Sequence, residues 1–142
     1  MTPYLLGLYE KSMPGTLSIP EKLSEARQAG FDFLELSIDE TDEKLARLEW
    51  GRKEIRQVLD AEWETGLPIR SICLSGHRKY PMGHPDGQIR SRSLQILEKA
   101  LILADSLGVR TIQLAGYDVY YLPSDEETRA LFKDNLRHAV RM

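Results

Sequence analysis

Four short runs rich in Leu, Ile and Phe alternate with longer amphipathic stretches, and this alternation limits the folds open to the chain more than any other feature. The runs are Tyr4–Tyr9, Phe31–Ile38, Ile69–Leu74 and Arg110–Ala115. Each is apolar enough to be a strand covered on both faces, as in a parallel sheet. No Asn-Gly or Asp-Gly two-residue turn joins them, and the only Asp-Gly, Asp86-Gly87, lies in a long loop. Crossover helices are therefore the natural connections.

The helices between the runs carry start and stop signals. Ser18 and Glu21 form a capping box with Pro20 in the first turn, and Gly30 stops the helix. A second helical region runs from Asp42 to Thr65, with a break near Gly51, and ends at Gly66. The third spans Gln88 to Leu107, with Leu94, Leu97, Leu101 and Ala104 on one stripe and Gly108 after it. A fourth begins at Ser124, capped with Glu127, and runs on to Met142. Gly30, Gly66 and Gly108 thus each precede a strand, at a spacing of roughly 40 residues that suits one barrel unit. The pattern predicts an α/β fold of four βα units. A barrel is favoured over an open doubly wound sheet, because no Gly-rich phosphate loop follows the first strand.

Composition narrows the class of protein. The chain has 142 residues, 42% hydrophobic and 29% charged, with a formal charge of -3. A chain of that size buries a real core, and its balance of charge gives no broad attraction for nucleic acid or anionic membrane. Cys73 is the only cysteine, which excludes an intrachain disulfide and a four-cysteine zinc site. The opening Met1-Thr2-Pro3-Tyr4 has no signal-peptide pattern, and the longest apolar run, Ala100–Ala104, is too short to span a bilayer. A cytoplasmic protein is expected.

In parallel α/β folds the site forms where the strands end. Here those ends carry Tyr9-Glu10-Lys11; Glu35 and Ser37 followed by Asp39-Glu40-Thr41-Asp42; Ser75-Gly76-His77-Arg78-Lys79-Tyr80; and Gln113 with Gly116-Tyr117-Asp118-Val119-Tyr120-Tyr121. Glu10 and Lys11 read either as a solvated pair or as site residues. Asp39, Glu40 and Asp42 suit a helix start, where acidic groups meet the positive end of the dipole, better than a metal site. Glu35 faces either the mouth of the barrel or an ion pair. His77, Arg78 and Lys79 favour contact with a phosphate dianion, which needs charge-assisted donors. His84 and His138 read as structural or surface residues. Tyr117, Tyr120 and Tyr121 form either a sugar-binding wall or a cap on the core.

The segments Gly7-Leu-Tyr-Glu-Lys11, Gly30-Phe-Asp-Phe33 with Ser37-Ile-Asp-Glu-Thr-Asp42, Cys73-Leu-Ser-Gly-His-Arg78 and Gln113-Leu-Ala-Gly-Tyr-Asp-Val-Tyr-Tyr121 together resemble a known family. It is that of the L-ribulose-5-phosphate/L-xylulose-5-phosphate 3-epimerases of ascorbate and pentose catabolism, also labelled hexulose-6-phosphate isomerases. The resemblance runs from Gly7 into the last helix and covers the N-terminal half of such enzymes. It implies a xylose-isomerase-like (β/α)8 TIM barrel, of which residues 1–142 form strands and helices 1–4, the C-terminal half being absent. It also implies a divalent metal, zinc being the expected ion. The metal would polarise the C2 carbonyl while two glutamates exchange the C3 proton.

In the family the metal ligands and both glutamates lie beyond the fourth strand. The resemblance therefore implies no catalytic residue and no bound metal in this chain, which alone would be inactive. It carries over only substrate-side positions: Tyr9, Glu10, Lys11, His77, Arg78, Tyr117 and Tyr120, with Tyr121 beside them. The expected partner is a phosphorylated ketopentose, with self-association through exposed strand edges. Two other readings stay open: another sugar isomerase of the same superfamily, and a non-catalytic half-barrel. An endonuclease IV-type barrel needs a histidine after its fourth strand, where this chain has Ala115-Gly116-Tyr117.

Overall fold

The computed structural model describes residues 4–142; Met1, Thr2 and Pro3, part of the opening segment read above, lie outside the described residues. Elements follow in the order β1 (Gly7–Tyr9), α1 (Ile19–Gln28), β2 (Phe33–Ile38), α2 (Asp42–Leu45), α3 (Arg52–Thr65), β3 (Ile69–Leu74), α4 (Gly87–Ser106), β4 (Thr111–Leu114) and α5 (Glu126–Ala139). Short 3-10 turns at Glu10–Ser12, Ala46–Glu49 and Ser75–Arg78 follow β1, α2 and β3. The four strands are parallel and neighbour one another in chain order, β1-β2-β3-β4. Gly7, Leu8 and Tyr9 of β1 pair with Phe33, Leu34 and Glu35 of β2.

Internal contacts group the described chain into two compact units, each taken here by itself. The first runs to Ser37 and continues in Trp50–Cys73 and Leu103–Gln113; the second comprises Ile38–Glu49, Leu74–Ile102 and Leu114–Met142. In the first, α1 packs against α3. Its core holds Leu23, Leu34, Leu36, Val58, Leu67, Ile69 and Ile72. The second buries Ile38, Leu45, Leu74, Met82, Ile96, Leu97 and Ala100.

Most boundaries match the sequence signals, and the departures have local causes. β1 is shorter than Tyr4–Tyr9; at Leu6 the N–H donates to the Asp32 carboxylate at 2.7 Å while the carbonyl accepts the Asp32 N–H at 2.8 Å. Ser18 and Glu21 do form the expected capping box. The second helical region is broken as expected, with the Glu54 carboxylate accepting the Gly51 N–H at 2.9 Å to start α3. In α4 the buried stripe is Ser93, Ile96, Leu97, Ala100, Leu103 and Ala104, with Leu107 buried just past the helix end, while Leu101 is exposed. Of the expected stripe, Leu97 and Ala104 are buried and Leu94 is half-buried; Leu101 departs from it, one position past the buried Ala100.

The last helix corrects the expected cap. Asp125, not Ser124, is its N-cap, accepting the Thr128 N–H at 2.8 Å. The Ser124 hydroxyl instead donates to Asp118 at 2.8 Å. That helix closes at Ala139 and does not continue to Met142.

Candidate functional site

The second unit gathers the loops that follow β2, β3 and β4. After β2, Asp39 Oδ1 accepts from the Thr41 N–H at 2.9 Å and from its hydroxyl at 2.6 Å, turning the chain sharply. Thr41 then caps α2 by accepting the Lys44 N–H at 3.3 Å, so the acidic run does start a helix, with Asp42 and Glu43 in its first turn. Glu40 stays outside the helix. Its Oε1 accepts the Tyr121 hydroxyl at 2.7 Å.

After β3 the chain makes its 3-10 turn at Ser75–Arg78, and buried Gly76 lets it approach the turn after β2. A Cβ there would lie 3.1 Å from Leu45 Cδ2 and 3.4 Å from the Asp39 carbonyl. The closeness of these two turns brings Arg78 towards Glu40, and that charge is one of those acting on the guanidinium. Arg78 Cζ also lies 5.1 Å from the centre of the Tyr120 ring, a cation–π contact. Tyr117 and Tyr120 stack with centroids 5.0 Å apart; Tyr120 and Tyr121 meet edge-on at 4.9 Å. Burial alone would lower the Arg78 pKa, but Tyr120, Tyr117 and Glu40 outweigh it and raise it. The guanidinium is charged throughout the working pH range. Burial raises the Tyr117 pKa, against the pull of Arg78.

Within this cluster three polar atoms are buried without a hydrogen-bond partner: Arg78 Nε, Glu40 Oε2 and the Tyr117 hydroxyl. Buried donors and acceptors ordinarily find partners, so the three mark this cluster as incompletely satisfied by the protein's own groups.

The loop after β4 is anchored from behind. Asp118 Oδ2 accepts from the Ser124 hydroxyl at 2.8 Å and from the buried Thr128 hydroxyl at 2.5 Å. Burial works to raise the Asp118 pKa, but these hydrogen bonds prevail and lower it. The Gly83 N–H donates to the Asp118 carbonyl at 2.9 Å, and Asn135 Nδ2 donates to the Met82 carbonyl at 2.7 Å. These bonds fix the backbone that presents Tyr117, Tyr120 and Tyr121.

Two residues expected at the substrate are turned inward. His77 is 3% exposed, and its Nε2 lies 3.1 Å from the Ser93 carbonyl. A carbonyl only accepts, so Nε2 carries the proton, and burial lowers the His77 pKa, leaving a neutral ring. In the first unit, Glu10 is fully buried against Lys22, its Oε1 3.5 Å from Nζ. Strand ends alone could not reveal either partner, since both come from helices.

The first unit holds the remaining candidates. The Tyr9 and Ser37 hydroxyls are 3.0 Å apart, and burial raises the Tyr9 pKa against that hydrogen bond, with Cys73 adding to the rise. Glu35 Oε2 accepts the Ser71 hydroxyl at 2.7 Å, so it is held by the neighbouring strand and not by an ion pair. Lys11 is exposed. His84 Nδ1 accepts the Asp86 N–H at 2.9 Å, and His138 is exposed on α5. Among the described residues, no group of three or more His, Cys, Asp or Glu side chains could hold a metal ion. The divalent ion that the resemblance implies thus finds no ligand set among them. Among the described residues, no helix is long and apolar enough to cross a membrane.

Parallel βα units with polar loops after the strands define the barrel class, and residues 23–142 match the family model described as "Xylose isomerase-like TIM barrel". The chain belongs to this family, and its strands and helices are those of the N-terminal half of the barrel. It is 46% identical over 137 residues to the L-ribulose-5-phosphate 3-epimerase UlaE of Salmonella heidelberg, covering 96% of this chain and 48% of that protein. The Escherichia coli protein of the same name is 47% identical, with the same coverage. The chain therefore spans about half the length of the curated relatives it matches. A crystal structure of D-psicose 3-epimerase in the presence of D-fructose superposes with a TM-score of 0.76 at 14% identity, covering 95% of this chain and 47% of that one. That likeness speaks for the fold alone.

Proposed function

We propose that this chain supplies the substrate-binding strands of a sugar-phosphate 3-epimerase that interconverts L-xylulose 5-phosphate and L-ribulose 5-phosphate. The observation that carries this reading is the 46–47% identity, over 96% of the chain, to proteins named L-ribulose-5-phosphate 3-epimerase. In this reading Arg78 donates charge-assisted hydrogen bonds to the phosphate, and Tyr117 and Tyr120 wall the sugar. Tyr9, at the end of β1, and Lys11, in the turn after it, also contribute. Glu10 and His77 act indirectly, by holding the turns on which their neighbours stand. Removal and return of the C3 proton through an enediolate, with zinc as the metal, belong to residues outside this chain. Residues 1–142 act as one half-barrel in the cytoplasm, in the breakdown of ascorbate and pentoses, and nucleic acid is no partner.

A second reading is a free-sugar epimerase of the same barrel family. Paired substrates separate the two. The test joins this chain to the C-terminal half of the Escherichia coli relative and follows deuterium uptake at C3 by NMR. The joined protein is expected to turn over L-xylulose 5-phosphate, and the 142-residue chain alone is not. Arg78→Ala is expected to raise KM for the phosphorylated sugar far more than for the free sugar. Equal effects on both would remove the phosphate role, and no exchange in the joined protein would remove the reading.

A further inference from the structure

In the loop clusters, Glu40 is a charged residue that neither the helix start nor the phosphate contact explains. Glu40 lies outside α2, and its Oε1 is fixed by the Tyr121 hydroxyl while its Oε2 is buried and unpartnered. It shares a cluster with Arg78, whose Nε is also buried and unpartnered, and with the Tyr117 hydroxyl in the same condition. A carboxylate is a poor neighbour for a phosphate dianion: the like charges repel, and the carboxylate already offsets the guanidinium. A neutral hydroxyl has the opposite effect. It donates to a buried carboxylate oxygen and leaves the guanidinium free for an anion.

We infer that Glu40 reads the hydroxyl on the carbon next to the phosphoester, so that the Glu40–Arg78–Tyr117 cluster takes a 2-hydroxyalkyl phosphate as one unit. This rests on the phosphate reading of Arg78. In a ketopentose 5-phosphate the hydroxyl concerned is that on C4. It donates to Glu40 Oε2, the phosphate accepts from Arg78 Nε, and the Tyr117 hydroxyl donates to whichever oxygen stands nearer. Each of the three unpartnered atoms is then satisfied. A phosphoester without that hydroxyl leaves the carboxylate both unpaired and facing a like charge, which is how a polar site rejects an analogue lacking one group.

Small esters test this on the 142-residue chain itself. Amide shifts are followed by NMR during titration with sn-glycerol 3-phosphate, 3-hydroxypropyl phosphate and inorganic phosphate. Glycerol 3-phosphate, which has the adjacent hydroxyl, is expected to bind about tenfold or more tightly than 3-hydroxypropyl phosphate, which lacks it. Glu40→Gln is expected to bring the two within about threefold, chiefly by strengthening the second, because the repulsion is gone. Arg78→Ala is expected to abolish binding of both esters. Equal affinity of the wild-type chain for the two esters, with both lost in Arg78→Ala, overturns the role of Glu40 and leaves the phosphate contact standing. Esters that bind Arg78→Ala as well as the wild type overturn the phosphate contact, and the role of Glu40 with it.

Discussion

Lys22 and Glu10 meet at 3.5 Å with side chains 3% and 0% exposed, an ion pair between α1 and the turn after β1 almost wholly withdrawn from water. A buried pair is costly to assemble but far more costly to break, because the survivor is a charge in a medium that cannot solvate it. Lys22→Met is expected to lower stability by about 3–5 kcal/mol in urea unfolding. Glu10→Leu combined with Lys22→Met should be less damaging than Lys22→Met alone. A double variant worse than the single would show that the pair is worth more than its apolar replacement.

Gly83 sits where no side chain fits. A Cβ there would stand 2.5 Å from the Thr128 carbonyl and 2.6 Å from the Asp118 carbonyl, both backbone atoms that cannot swing aside. Gly83→Ala is expected to cost about 1–3 kcal/mol, with shifts in the amide resonances of the Tyr117–Tyr121 loop. An unchanged melting temperature would mean the two loops are not held together as described.

Asp118 makes the acid side of the stability profile sensitive to one residue. Burial opposes ionisation there, but the Thr128 and Ser124 hydroxyls prevail and its folded pKa lies below the ordinary value. The stabilisation is therefore complete above the unfolded pKa of about 3.9 and drains away as pH falls through the folded value. Asp118→Asn is expected to flatten this acid limb below about pH 4 while lowering stability at neutral pH. Parallel limbs in the two proteins would remove Asp118 as the group responsible.

Among the described residues, β1 and β4 end the strand order, each with a strand neighbour on one side only. Thr111 and Gln113 of β4 are exposed. Unpaired edges invite pairing with another copy. Light scattering of the 142-residue chain at micromolar concentration is expected to report a dimer or larger species; a well-folded monomer would contradict this.

The fold was largely legible because its signals are local. The Ser18–Glu21 cap, the break at Gly51 and the glycines before β2, β3 and β4 are each read within a few residues. Helix α5 was misread by one position because two residues compete for its cap. Ser124 is the better-known capping residue, but Asp118 claims its hydroxyl from six residues away and leaves the helix to Asp125. The site was less legible, for the same reason on a larger scale. Glu10 finds Lys22, His77 finds Ser93, and Glu40 finds Tyr121 only after folding, and Tyr121 stands 81 residues further along. A strand-end rule names the neighbourhood but cannot tell which side chains face out of it.

The bonds that tie Met82 to Asn135 and Gly83 to Asp118 carry one more consequence, for the covalent chain itself. Both lie on the N-terminal side of exposed Pro85 and Asp86, and both reach partners far on the C-terminal side. The peptide link at 85–86 is then nearly redundant as a tether. A protease that nicks this exposed stretch would leave two fragments still seated on each other. The same point is where a foreign domain could be spliced in while the tyrosine loop keeps its place.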